Sequence, residues 1–141
     1  MSILCQKKPI RFLLRISALL LIGFLVITAS ACVSTTFISV TPEKAQEIAN
    51  GQQVVYLDVR TASEYASGHI DGAINLDYHS HNFENDLASL DKNVVYIVYC
   101  QSGGRSKETL SKMAEMQFKE AYDIKGGVIA WSNAGYALTA D

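Results

Sequence analysis

Hydrophobic and polar positions divide the chain into two unlike parts. Residues 16–31 are all apolar or small, with Leu19, Leu20, Leu21 and Ile22 and then Phe24, Leu25, Val26 and Ile27 at the centre. Further on, short apolar runs alternate with amphipathic stretches. Residues 37–40 predict a small strand. Thr41 and Pro42 suit the N-cap and first position of a helix, which continues over 43–49 and stops at Asn50 and Gly51. Val54–Asp58 is apolar and β-branched, so it predicts a buried strand. A short helix fits 61–67, closed by Gly68, and a short strand fits 73–76. Residues 82–90 form an amphipathic helix with Phe83, Leu87 and Leu90 on one face.

Residues 94–99 give the clearest signal, being apolar at every position instead of alternating. That pattern belongs to a strand covered on both faces, as in the middle of a parallel sheet. A glycine-containing loop follows. A helix is predicted over 105–116 with Leu110, Met113 and Ala114 inward, then a strand over 121–124. Gly126 and Gly127 turn into a helix over 128–134 carrying Trp131. This alternation in about 100 residues predicts one α/β domain. Its central sheet is open and mostly parallel, with helices on both faces. Ligands in such folds bind beyond the carboxyl ends of the strands, which is where Asp58 and Cys100 fall.

Charge separates the N-terminus from the rest. Lys7, Lys8, Arg11 and Arg15 precede the apolar run, and none of the 14 acidic residues lies before Glu43. A positive segment followed by 16 apolar or small residues reads as an export signal over 1–31. The run is shorter than the roughly 20 residues of a comfortable membrane-spanning helix; an uncleaved anchor is the alternative. Ala29-Ser30-Ala31 offers an ordinary cleavage site. With Cys32 next, the same stretch resembles a bacterial lipoprotein signal, although Ala29 stands where that pattern usually has Leu. The resemblance implies lipid attachment at Cys32, a tether over 32–36, a domain over 37–141, and a periplasmic or cell-envelope location at a membrane.

Removing the four N-terminal cations leaves 8 basic against 14 acidic residues, a net charge of −6 for residues 32–141. Such a surface disfavours nucleic acid. Loss of Cys5 and lipidation of Cys32 leave Cys100 as the one free thiol, with no internal disulfide partner. An exported lone thiol is either buried and inert or present for its chemistry.

The segment Cys100-Gln101-Ser102-Gly103-Gly104-Arg105-Ser106 favours chemistry. Gly103 and Gly104 let the backbone curl so that its N–H groups face inward. The following helix directs its positive end at the same spot, and Arg105 adds a cation. Each feature favours thiolate over thiol.

Three stretches together resemble the single-domain rhodanese family of sulfurtransferases. They are residues 58–76, from Asp58-Val59-Arg60 through Gly68-His69-Ile70 to Leu76; residues 100–106; and Gly126-Gly127-Val128-Ile129-Ala130-Trp131. Export adds a looser resemblance to the periplasmic phage-shock type. The resemblance implies a rhodanese-like fold and a Cys100 nucleophile that takes sulfane sulfur from thiosulfate or a similar small anionic donor. The resulting persulfide passes sulfur to cyanide or a thiol, a protein thiol included. Gln101, Ser102, Gly103, Gly104 and Arg105 would bind the donor and the bound sulfur, with Asp58, Arg60 and Ser106 in support. No metal or organic cofactor is implied. Cysteine-dependent phosphatases and arsenate reductases share the fold with a seven-residue loop from Cys to Arg, whereas Cys100 to Arg105 is six. A persulfide carrier or thiol interaction module is the other alternative.

Among the remaining residues, Arg60 is expected to pair with Glu64 and hold the turn after Asp58. His69 is expected to be structural. His79 and His81 fit an exposed loop better than a metal site. Tyr56, Tyr96, Tyr99 and Trp131 fit the core or a pocket wall. Lys107 and Lys112 fit a solvated helix face, Lys107 with an alternative role in steering anions.

Overall fold

A parallel sheet buries its middle strands on both faces, and β4 (Val95–Tyr99) is buried at every position. In the computed structural model, which describes residues 36–140, β4 pairs in parallel with β2 (Val54–Asp58) on one side and β5 (Glu120–Ile124) on the other. β1 (Thr36–Val40) extends the sheet beyond β5, and the two-residue β3 (Ile74–Asn75) beyond β2. The order is β1-β5-β4-β2-β3 with each of these strand pairs parallel.

Pleating sends successive β4 side chains to opposite faces, giving two cores. Tyr96, Val98 and Cys100 join the core covered by Phe83 and Leu87 of α3 (Phe83–Ser89) and by Leu110 and Met113 of α4 (Gly104–Glu115). Ile97 and Tyr99 join the other. Ala45 of α1 (Pro42–Gly51) and Val128 and Trp131 of α5 (Gly127–Asn133) cover that face. The expected open α/β architecture with helices on both faces is therefore present.

Local chemistry sets the helix ends. Thr41 caps α1 by accepting from the Lys44 N–H at 3.3 Å, with Pro42 at the first helical position. Thr61 caps α2 (Ala62–Ala66) in a reciprocal capping box with Glu64. Two expectations need correction. Ala114 is exposed and the inward face of α4 carries Ser106, Thr109, Leu110 and Met113 instead; the inward stripe runs at i, i+3, i+4 and i+7 from Ser106, and Ala114 lies outside it. β1 begins at Thr36, which the sequence assigns to a tether. The expected signal over 1–31, the Cys32 lipidation site and the rest of the tether lie outside the described residues.

A buried ion pair fixes the turn after β2. Asp58 is fully buried and Arg60 nearly so. Asp58 accepts from Arg60 Nε at 3.0 and 2.9 Å and from Nη2 at 2.6 Å, while Nη2 also donates to the Gly68 carbonyl at 2.7 Å. Removing one partner of such a pair strands a charge in the interior, at a cost of about 3–5 kcal/mol. Asp58→Ala is accordingly expected to destabilise the protein by about that amount in denaturant unfolding; a loss of only a few tenths would show that the pair does not hold the turn.

Candidate functional site

The site begins where β4 stops. Cys100 follows its last residue, and α4 begins at Gly104. Two glycines make the loop between them possible. Gly103 has φ of 102°, and a Cβ there would sit 3.3 Å from the Gly126 nitrogen. Gly127 has φ of 60°, and a Cβ there would lie 2.3 Å from the Cys100 carbonyl oxygen. Only glycine fits at Gly127 without moving backbone.

The close approach at Gly127 orients the loop. At the start of α5, Val128 N–H donates to the Cys100 carbonyl at 2.8 Å and Ile129 N–H to the Gln101 carbonyl at 3.3 Å. A trans peptide points its N–H opposite to its C=O. With both carbonyls bound by α5, the following N–H groups are turned to the other side. Gly103 N–H donates to Cys100 Sγ at 3.1 Å, and the Ser106 hydroxyl lies 3.6 Å from it. Cys100 is 1% exposed. Burial pushes its thiol pKa up, but the Ser106 hydroxyl and the N–H groups of Ser106, Gly103 and Ser102 outweigh burial and hold it below the ordinary value. The start of α4 adds the positive end of a 12-residue helix.

Arg105 is not a free cation, which corrects the expected pairing. Its guanidinium donates to Glu64 in a two-pronged pair at 2.9 and 2.8 Å. Arg60, expected to hold Glu64, is instead engaged through Nε and Nη2 by Asp58 and the Gly68 carbonyl. The geometry explains the exchange. Glu64 sits at the third position of α2, reaching back to Thr61 N–H at 2.9 Å, and so faces α4. Arg105 lowers the Glu64 pKa to about 2, with smaller help from Thr61. Arg105 is held charged chiefly by Glu64 and to a lesser degree by Cys100. Gln101 and Ser102 are exposed. Gln101 borders a cleft of about 360 Å³, with Arg60, Gly68, Val128, Ile129 and Leu138 among its walls.

Asp58 and Arg60 sit beside the site as a closed pair, and Ser106 touches the sulfur. His69 is buried and stacked on Tyr65 with ring centroids 3.7 Å apart, its Nδ1 3.0 Å from the Tyr65 carbonyl. His79 and His81 are exposed, and no His/Cys/Asp/Glu group among the described residues could hold a metal ion. Lys107 is exposed on α4 and Lys112 pairs with Glu84. Tyr96, Tyr99 and Trp131 are core residues, while Tyr56 is half-buried against Trp131. The sequence reading passed over Asp123, fully buried on β5 with its Oδ1 hydrogen-bonded to Ser106. A charged residue inside a predicted buried strand was the available signal.

A buried cysteine in an amide-lined loop, at the carboxyl end of a central parallel strand, places the chain in a class of α/β proteins defined by that loop. The family model for the rhodanese-like domain matches residues 41–134, and the chain belongs to that family. A thiosulfate sulfurtransferase GlpE of Pseudomonas paraeruginosa is 33% identical over 108 residues, spanning 76% of this chain and 94% of the relative. A sulfurtransferase of Allochromatium vinosum is 30% identical over 96 residues, spanning 68% and 88%. The crystal structure of a rhodanese-like domain protein from Staphylococcus aureus superposes with a TM-score of 0.62 at 27% identity, covering 73% of this chain and 97% of that one. A rhodanese-related protein from Thermoplasma volcanium shares the fold, with a TM-score of 0.67 at 23% identity over 74% of this chain and all of that one.

The Glu64–Arg105 pair is testable through pH. A carboxylate whose pKa is depressed on folding contributes stability that is complete above its unfolded value of 4.5 and lost as pH falls toward about 2. Between those limits, the wild type is expected to lose more stability than Glu64→Gln, measured by denaturant midpoints. Parallel pH curves for the two proteins would show the pair to be energetically silent.

Proposed function

We propose that the protein is a thiosulfate-type sulfurtransferase that carries sulfane sulfur as a Cys100 persulfide. The supporting observation is the buried Sγ facing N–H and hydroxyl donors at the mouth of α4. The Cys100 thiolate attacks the outer sulfur of the donor. A new S–S bond forms, the donor's own bond to that sulfur breaks, and the leaving group departs with the electron pair, as sulfite when thiosulfate is the donor. The negative charge then sits on the terminal sulfur, one atom beyond Sγ. Loop N–H groups stabilise it there as an oxyanion hole stabilises oxygen. A thiol or cyanide acceptor attacks that terminal sulfur, and the pair of the broken S–S bond returns to Cys100. Two displacements through a covalent intermediate give ping-pong kinetics.

Ser106 and the Gly103 N–H act on the sulfur directly. Arg105 supplies a cation positioned by Glu64, and the Asp58–Arg60 pair fixes the adjoining turn. The six-residue span from Cys100 to Arg105 suits one sulfur atom better than a tetrahedral oxyanion, which argues against phosphatase or arsenate reductase activity. With Arg105 matched by Glu64, and with Gln101 and Ser102 uncharged, the loop offers a dianion little unbalanced positive charge. That favours a thiol-borne sulfur donor, or a carrier role toward a protein thiol, as the second reading.

Intact mass after incubation with thiosulfate tests the reaction. Wild type is expected to gain one sulfur atom that cyanide removes, and Cys100→Ser to gain none. Transfer persisting in Cys100→Ser would refute the nucleophile; a stable persulfide that turns over only with a protein thiol would select the carrier reading.

We also propose that residues 1–31 direct export and that Cys32 carries a lipid anchor, on the strength of the basic and apolar pattern ending at Ala31-Cys32. The mature protein is then expected in the membrane fraction, released by detergent and not by salt, and Cys32→Ser is expected to move it to the soluble fraction. Equal solubility of both proteins would overturn the anchor.

A further inference from the structure

The sulfur chemistry gives Asp123 no task, yet its carboxylate is fully buried on β5. Among the described residues no lysine or arginine pairs with it. A buried charge without a cation depends on hydrogen bonds. Asp123 has two: Ser39 of β1 donates to Oδ2 at 2.8 Å, and Ser106 of α4 bonds Oδ1. The same Ser106 oxygen lies 3.6 Å from Cys100 Sγ. A serine hydroxyl has a single proton to donate. Sulfur and carboxylate therefore compete for it.

We propose that Asp123 is a positioning residue that draws the Ser106 hydroxyl away from Cys100 and thereby sets how readily the Cys100 thiolate forms. The inference rests on Cys100 being the nucleophile. While the Ser106 hydroxyl donates to the Asp123 carboxylate it cannot also donate to the sulfur, and the thiolate is left with its N–H donors. Releasing Ser106 from Asp123 lets the hydroxyl turn to the sulfur, where it favours the charged form.

The surroundings single out Asp123. From α4, Arg105 favours the thiolate, with its charge matched by Glu64 of α2. At the end of β2, Arg60 is matched by Asp58. β4 contributes apolar residues and two tyrosines, Tyr96 in the core that holds Cys100 and Tyr99 on the other face, whose phenols burial keeps protonated. On β5, Tyr122 and Glu120 bond each other. α5 presents Val128 and Trp131, and β1 presents Ser39. Among the described hydrogen bonds, Asp123 is the one carboxylate linked to the sulfur through a shared hydroxyl.

The test is the rate of iodoacetamide alkylation of Cys100 in the full chain against pH, resolved at that residue by peptide mass mapping. Asp123→Asn keeps the shape: its amide N–H donates to Ser106 and its oxygen accepts from Ser39, leaving Ser106 free for sulfur. The variant's midpoint is expected to fall by about one pH unit, a tenfold gain in thiolate below it. Ser106→Ala is expected to raise the midpoint, and the Asp123→Asn shift is expected to shrink in that background. A merely structural Asp123 gives an unchanged or raised midpoint in Asp123→Asn, which overturns the proposal, as does an undiminished shift without Ser106. Should Asp123→Asn fail to fold, Ser39→Ala serves. Loss of the Oδ2 donor leaves Ser106 as the carboxylate's remaining side-chain donor and holds that hydroxyl more firmly, so the Cys100 midpoint is expected to rise, and an unmoved midpoint refutes the coupling. Alkylation involves neither sulfur donor nor acceptor, so it can fail while the persulfide forms, and the reverse.

Discussion

A peptide group cannot aim both its N–H and its C=O at the same place, and the site depends on that constraint. The Cys100 and Gln101 carbonyls are bonded by the first N–H groups of α5. Their peptides are thereby rotated so that the Gln101 and Ser102 N–H groups point away from α5, and the Ser102 N–H is among those that favour the thiolate. Without that anchoring, a loop at the mouth of a helix is as free to present carbonyls, which repel a thiolate, as amides, which attract one. The contact requires Gly127, since any side chain there would collide with the Cys100 and Gln101 backbone. The glycine pair 26 residues downstream of the cysteine is thus part of the sulfur's environment.

Much of this was legible in the sequence. The unbroken apolar run before Cys100 marked a strand covered on both faces, because a parallel sheet has no solvent-facing side there to demand alternation. A cysteine at its carboxyl end, followed by two glycines and an arginine, then marked a site. Thr41-Pro42 and Thr61 marked helix starts because capping is local chemistry. What stayed hidden was pairing across the fold. Arg60 and Arg105 are equally plausible partners for Glu64 by residue type, and only the direction in which α2 points its third residue decides between them. Asp123 was overlooked because its partners, Ser39 and Ser106, lie 84 and 17 residues away. No local pattern records such contacts.

The two ion pairs divide structural and electrostatic work according to burial. Asp58 and Arg60 are dry, and their side chains are bonded to each other and to the Gly68 carbonyl. That pair is a strut: removing either member is costly, yet it presents almost no net charge to the loop. Glu64 and Arg105 keep side-chain exposures of 30% and 19%, so solvent screens part of their attraction and the pair contributes less stability than the buried one. Its value lies in geometry, since it fixes a guanidinium beside the sulfur.

The cation so fixed is matched by a carboxylate, and this shapes the field the loop presents. A free arginine would draw a dianion toward the loop from a distance. A matched one acts only at contact range, because a carboxylate and a guanidinium together present a dipole whose field falls off faster than that of a charge. The net charge of −6 on residues 32–141 opposes long-range attraction further. Stabilisation of negative charge is therefore concentrated at the Cys100 sulfur, which the Gly103 N–H and the Ser106 hydroxyl approach at 3.1 and 3.6 Å, instead of on an approaching anion. In the proposed reaction, an arrangement of that kind favours holding and handing on a sulfur over capturing a dilute anion.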